Sequence, residues 1–242
     1  MRPPIYEYRI TDYDPRLIPT AKVAELDRDA AEPSTWKATS GRSIGHPGWG
    51  LLYHVLLASL SPDRFNLILE TGTNLGSSTM IMAQAIHDSG RQGVVRTIEI
   101  DAETAREAQR RISEVNLHPY VEFTVGDSLE CLQQVLGVGD EVAVAFLDGN
   151  HFHDHVVREF ELLLPFIKDD SIVVFDNTYS IAEGREDPRV NGALRSIVSL
   201  YGGHLINFPY VSWYTPGMAL WQRQPFDVMV PPVTGAFDPQ SG

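Results

Sequence analysis

Phe65-Asn66-Leu67-Ile68-Leu69-Glu70-Thr71-Gly72-Thr73-Asn74-Leu75-Gly76-Ser77-Ser78-Thr79 is the stretch on which the fold turns. Residues 65–70 form an apolar run of strand length ending in a carboxylate, two glycines follow, and a helical pattern begins at residue 77. Gly72 and Gly76 let the backbone turn tightly and approach a ligand closely, and the first amides of the helix have no partners of their own. The stretch therefore predicts a strand, a loop carrying Thr73 and Asn74, and a helix start that together cradle a nucleotide-like cofactor. The spacing is neither Gly-x-Gly-x-x-Gly nor a Walker loop, because no Gly-Lys-Ser/Thr follows, so dinucleotide and ATP readings lose ground.

Working outward, apolar runs of strand length recur at 94–100, 120–125, 142–147 and 171–176. The last two are almost wholly Val, Ala, Phe, Leu and Ile, which suits strands buried on both faces of a parallel sheet. Helix-like segments at 77–89, 102–115, 128–137 and 153–167 alternate with them, each long enough for a crossover. An earlier apolar helix runs from Trp49 to Leu60 and is closed by Ser61-Pro62-Asp63. Later, 190–201 reads as a helix, and 203–209 and 216–223 as two antiparallel strands joined around Thr215-Pro216-Gly217. The expectation is a doubly wound α/β domain over 49–223, with residues 1–48 as a polar arm or lid and 224–242 as a Pro- and Gly-rich tail.

Composition narrows the partners. The chain has 242 residues, 43% of them hydrophobic, which is enough for one large core. Its 32 acidic and 19 basic residues give a formal charge of −13, which repels phosphate backbones and anionic lipid surfaces, so neither nucleic acid nor a membrane is an expected partner. Cys131 is the only cysteine, which rules out an intrachain disulfide and a cysteine-zinc site and fits a reducing cytoplasm. No apolar run approaches the ~20 residues that cross a bilayer. A homodimer is the default assembly for such a domain.

Two further strand ends carry polar chemistry. Thr97-Ile98-Glu99-Ile100-Asp101 puts Glu99 beside the glycine loop, where a carboxylate can accept both hydrogen bonds of a ribose diol. Gly126-Asp127-Ser128 ends the next strand, where a polar side chain can reach an adenine edge. Three such features in order at successive strand ends resemble the class I S-adenosylmethionine-dependent methyltransferases. The matching residues are Glu70-x-Gly72-x-x-x-Gly76-x-Ser78, Thr97-Ile98-Glu99-Ile100 and Gly126-Asp127-Ser128. The pattern is similar to the catechol and caffeoyl-CoA O-methyltransferase branch. That resemblance implies a Rossmann-like, mostly parallel seven-stranded sheet with one antiparallel strand, Glu70 near the methionine end of the cofactor, Glu99 on its ribose, and Asp127 and Ser128 near its adenine.

The fourth strand ends in Leu147-Asp148-Gly149-Asn150-His151 and the fifth in Phe175-Asp176-Asn177-Thr178. Adjacent parallel strands would deliver Asp148, Asp176 and the Asn177 carbonyl to one rim, a set of hard oxygen donors of the kind magnesium prefers. Otherwise the two aspartates only cap the helices that follow. The resembled branch has metal ligands in the same order, with a lysine as general base three residues after the first. Here His151 stands in its place. It could take the acceptor's proton, stack on the adenine or orient Asp148.

His153, Asp154 and His155 come within one residue of a zinc-hydrolase pattern, but at a helix start they would point in different directions, which favours a solvated helix end. The expected chemistry is therefore O-methylation of a small-molecule hydroxyl (a phenol, catechol or natural-product sugar) with a divalent metal, Mg2+, assisting. A metal-independent methyltransferase, a non-catalytic cofactor-binding module and a histidine-cluster hydrolase are the alternatives. Substrate contacts are expected from 40–48, from 178–190 and from the aromatic segment Phe208-Pro209-Tyr210-Val211-Ser212-Trp213-Tyr214.

Overall fold

A computed structural model describes residues 48–178, 189–208 and 217–223. Seven strands form one sheet: β1 (Asn66–Thr71), β2 (Gly93–Glu99), β3 (Val121–Val125), β4 (Val142–Leu147), β5 (Ile167–Asp176), β6 (His204–Phe208) and β7 (Met218–Gln222). Their order is β3-β2-β1-β4-β5-β7-β6. The first five are parallel, and β7 runs antiparallel to both β5 and β6. The expected doubly wound sheet with one reversed strand is thus what the chain forms.

Side-chain alternation along the strands builds two cores. On one face Ile68, Val144, Phe146 and Val174 pack under α1 (Gly48–Ser59), α2 (Ser77–Ser89) and Ile112 of α3 (Ala102–Glu114). On the other, Leu69, Ala145, Leu147, Val173 and Phe175 pack against α4 (Ser128–Val135), α5 (His153–Leu163) and α6 (Val190–Tyr201). The chain leaves β1 toward β2 on one side and returns to β4 on the other. The crevice between the carboxyl ends of β1 and β4 is therefore the switch point where α/β sheets bind ligands.

The element boundaries differ from expectation chiefly around β5. The helix expected over 153–167 stops at Leu163, because Pro165 cannot donate the next helical hydrogen bond and a short 3-10 turn, Leu164–Phe166, replaces it. β5 then begins at Ile167, four residues before the apolar run suggested, and passes through exposed Lys168, Asp169 and Asp170. Ser171 holds that irregular start, its hydroxyl accepting from the Lys168 amide (2.8 Å) and donating to the Val142 carbonyl (2.6 Å). No helix among the described residues is long and apolar enough to cross a membrane.

Phe146, the penultimate residue of β4, has no exposed surface. Phe146→Ala should lower the unfolding free energy by about 3–5 kcal/mol. Urea denaturation of both proteins, compared at equal slope, checks this.

Candidate active site at the carboxyl edge of the sheet

The glycine loop closes over the end of β1. Gly72 has a φ of 86°, and a Cβ on it would overlap the Asp148 carbonyl oxygen and lie 2.9 Å from Gly149 Cα. Only glycine allows the β1 and β4 loops to touch here. Asn74 (φ 46°) and Gly76 (φ 78°) also take left-handed backbone, the latter just ahead of α2.

Glu70 and Ser78 face inward. The Glu70 carboxylate is fully buried and accepts from the hydroxyls of Ser78 (2.5 Å), Thr79 (2.5 Å) and Thr97 (2.6 Å). The Thr97 hydroxyl is also 2.5 Å from that of Thr73. Burial pushes the Glu70 carboxyl up to about 7 against those three hydrogen bonds. Glu99 is held from both sides, accepting the Asn74 amide (2.7 Å) on one oxygen and the Asp101 amide (3.0 Å) on the other. A carboxylate so held keeps further lone pairs able to accept. Asp127 caps α4 by accepting the Leu129 amide at 2.8 Å. Exposed Ile100 and Val125 stand at the ends of β2 and β3 as unexpected apolar surface beside these polar groups.

Asp148 and Asp176 come together as the strand ends predicted. Their carboxyls lie within hydrogen-bond reach of each other in the buried rim, and both are pushed up. Asp148 rises to about 8, through burial and then its acidic neighbours Glu70 and Glu159. Asp176 rises well above the usual carboxylate range, through burial and the adjoining Asp148. Carboxyl against carboxyl is a hydrogen bond only if one keeps a proton. With both ionised, neither Asp176 oxygen has a donor. His151 Nε2 is 3.2 Å from Asp148 Oδ1 and 3.0 Å from Asn177 Nδ2. Burial lowers the His151 pKa, and nearby Arg189 lowers it further, so the ring is neutral at pH 7. Asn177 adopts a φ of 56°, which turns the chain out of β5 at this point. Among the described residues no group of three or more His, Cys, Asp or Glu side chains is arranged as a metal-ligand set, so a cation here would need Asn177 or non-protein oxygens besides the two aspartates.

The histidine cluster is dispersed, as a helix start requires. His153 reaches Ser196 of α6 (2.8 Å), Asp154 is exposed, and His155 points to Ser128 of α4 (3.0 Å). His155 is nevertheless not solvated. It also lies 3.3 Å from Glu159, a fully buried carboxylate that the sequence reading passed over. The signal was there, since Val156, Glu159, Phe160 and Leu163 form one stripe of α5 and only Glu159 is charged. Of the expected substrate-contact segments, residues 40–47, 179–188 and 209–214 lie outside the described residues.

Comparison with known proteins agrees with this architecture. A family model described as a methyltransferase domain matches residues 69–178. A catechol O-methyltransferase of Niastella koreensis is 29% identical over 133 residues, which span 53% of this chain and 58% of that protein's length. Among solved structures, an O-methyltransferase from Bacillus cereus in complex with SAH superposes with a TM-score of 0.67 at 22% identity, covering 86% of this chain and 93% of that one. The O-methyltransferase TomG from Streptomyces achromogenes, in complex with SAM, gives 0.63 at 23% identity over 84% and 88%. At these identities the structural likeness establishes the fold.

The raised pKa of Glu70 has a sign that can be tested. Its stabilising contribution is whole below the ordinary value of 4.5 and is lost as pH rises toward about 7. Relative to Glu70→Gln, the wild type should therefore lose up to about 3 kcal/mol between pH 4.5 and 7, at ~1.36 kcal/mol per unit. Parallel denaturant titrations across that range measure the difference, and a constant gap would contradict it.

Proposed function

We propose, for a chain whose residues 69–178 form a class I S-adenosylmethionine-dependent methyltransferase domain resembling the catechol O-methyltransferase branch, that it methylates a hydroxyl group of a small molecule. One observation carries the reading: the Gly72 backbone rests on Asp148, so a cofactor cradle and a pair of buried carboxyls share one rim. In this reading Glu99 accepts from the ribose hydroxyls, Asp127 and Ser128 meet the adenine, and the inward-facing Glu70 keeps the loop in shape beside the methionine end. The arm or lid expected at 1–48, apart from Gly48, and the tail expected at 224–242 lie outside the described residues.

The residues fit a divalent cation. Both Asp176 oxygens are buried without a donor beside Asp148, and like charges so placed need either a cation or a shared proton. Asp148, Asp176 and Asn177 would hold the metal, hard oxygen donors pointing to Mg2+. Such a cation lowers the pKa of an acceptor hydroxyl, and for a phenol of pKa ~10 the three units to neutrality amount to about 4 kcal/mol.

His151, neutral through burial, accepts the hydroxyl proton as the oxygen takes the methyl group and the sulfonium carbon–sulfur bond breaks. Ether, thioether and a protonated imidazole balance the step. One observation favours a metal-independent variant: Asp148 and Asp176 can instead share a proton, with His151 acting alone.

Calorimetry should detect S-adenosylmethionine binding, with NAD and ATP inert, and Glu99→Gln should weaken it about tenfold, the cost of about 1.4 kcal/mol. Tight binding of either nucleotide instead would overturn the assignment. With a phenol or catechol panel as acceptor, EDTA and Asp148→Ala should each abolish turnover. Full activity in EDTA would select the metal-independent form. His151→Ala should lower kcat about 10²–10⁴-fold and remove an acid limb lying below pH 6.5.

A further inference from the structure

Behind the cofactor cradle lies a second polar chain that the reaction above does not use. Glu159 of α5 is fully buried and carries no hydrogen bond of full geometry, its Oε1 lying 3.3 Å from His155 Nε2. The same Nε2 is 3.0 Å from Ser128 Oγ at the start of α4. A nucleophilic Ser-His-acid triad needs the acid on the other ring nitrogen, so this is not one. Its consequence is directional. Contact with the Glu159 carboxylate raises the His155 pKa, Asp127 adding to the effect, against a partial burial that lowers it. A protonated imidazole has two N–H donors and no acceptor. With a carboxylate oxygen and a hydroxyl oxygen both at Nε2, that nitrogen carries a proton in the Nε2–H tautomer and in the imidazolium alike, so Nε2–H donates to Ser128 Oγ and the Ser128 proton turns away from His155.

Asp127 holds the neighbouring position, with Oδ1 on the Leu129 amide and acceptor capacity remaining. The start of α4 therefore offers a carboxylate acceptor and, next to it, a hydroxyl with one lone pair taken by His155 and its proton left for a ligand. An adenine edge presents the complement, an amine that donates and a ring nitrogen that accepts. Hypoxanthine has the opposite polarity at both atoms.

We propose that His155, anchored by the buried Glu159, is a positioning residue that fixes the Ser128 hydroxyl as a donor and so makes the base subsite select adenine over 6-oxopurines. The inference rests on the proposed placement of the cofactor's base at Asp127 and Ser128. His155 touches neither cofactor nor acceptor. Its effect is on which base is tolerated.

The test compares the affinities of S-adenosylhomocysteine and S-inosylhomocysteine, measured by calorimetry at pH 7. The wild type should prefer the adenine form at least thirtyfold. Ser128→Ala and His155→Leu should each cut that preference at least threefold, and the two together no further, because they break one chain. Since His155→Leu leaves a buried carboxylate uncompensated and can fail to fold, His155→Leu/Glu159→Leu removes the charge with its partner and should show the same reduced preference. His155→Gln, whose amide can still donate to Ser128, should restore it. A merely structural histidine would change both affinities alike. A preference unmoved in Ser128→Ala and in the His155 variants overturns the relay alone, whereas a wild type that binds neither thioether overturns the proposed function itself.

Discussion

The contact between the Gly72 backbone and the Asp148 carbonyl is the constraint on which the rest of the site depends. Parallel strands β1 and β4 are neighbours in the sheet, but their loops diverge to opposite faces, and nothing in sheet geometry alone obliges them to meet. Removing one Cβ lets them. The proposed cofactor cradle at residues 72–76 and the carboxyl pair of Asp148 and Asp176 then become two walls of a single crevice. Proximity of donor and acceptor is the largest part of what such a site can contribute to methyl transfer, and it is set by backbone packing before any side chain acts.

That packing has an electrostatic cost. Buried Glu70, Glu159 and Asp176 are gathered around the partly exposed Asp148 in an already acidic chain. The protein treats them differently. Three hydroxyls surround Glu70, an imidazole borders Glu159, and Asp148 and Asp176 are left facing each other. Only the first arrangement is fully hydrogen-bonded within the chain, and Glu159 has charge contact with His155 but no hydrogen bond of full geometry. The last is incomplete unless a proton or a cation enters it, and incompleteness at one defined place is how a site declares what it binds.

Much of this was legible in the sequence because it follows from strand ends. The helices at 77–89 and 190–201 have the bounds their periodicity gives, and the carboxylates after β1, β2, β4 and β5 sit where apolar runs stop. The pairing of Asp148 with Asp176 could be read from the adjacency of two wholly apolar strands. What escaped has physical reasons. The first residues of β5 carry Lys168, Asp169 and Asp170, and because these three are exposed this part of the strand needs no apolar pattern. Glu159 was readable as the one charge on an apolar stripe. Its partner was not, because the His155 contact to Ser128 joins two helices brought side by side only by the sheet.

The two histidines illustrate how burial and charge divide similar side chains between opposite tasks. At His151 desolvation, with Arg189 adding to it, outweighs the opposing charges of Asp176 and Glu159 and lowers the pKa, which favours a neutral ring with a lone pair to give. His155 lies against Glu159, and that carboxylate outweighs its partial burial and raises its pKa, which favours a proton on the nitrogen that faces Ser128. Glu159 acts on both rings, since its charge opposes the lowering at His151 while dominating at His155. One buried carboxylate on α5 thus bears on both imidazoles, as the main influence at His155 and a minor one at His151. The stripe position that makes Glu159 costly for folding is the same position that lets it reach both.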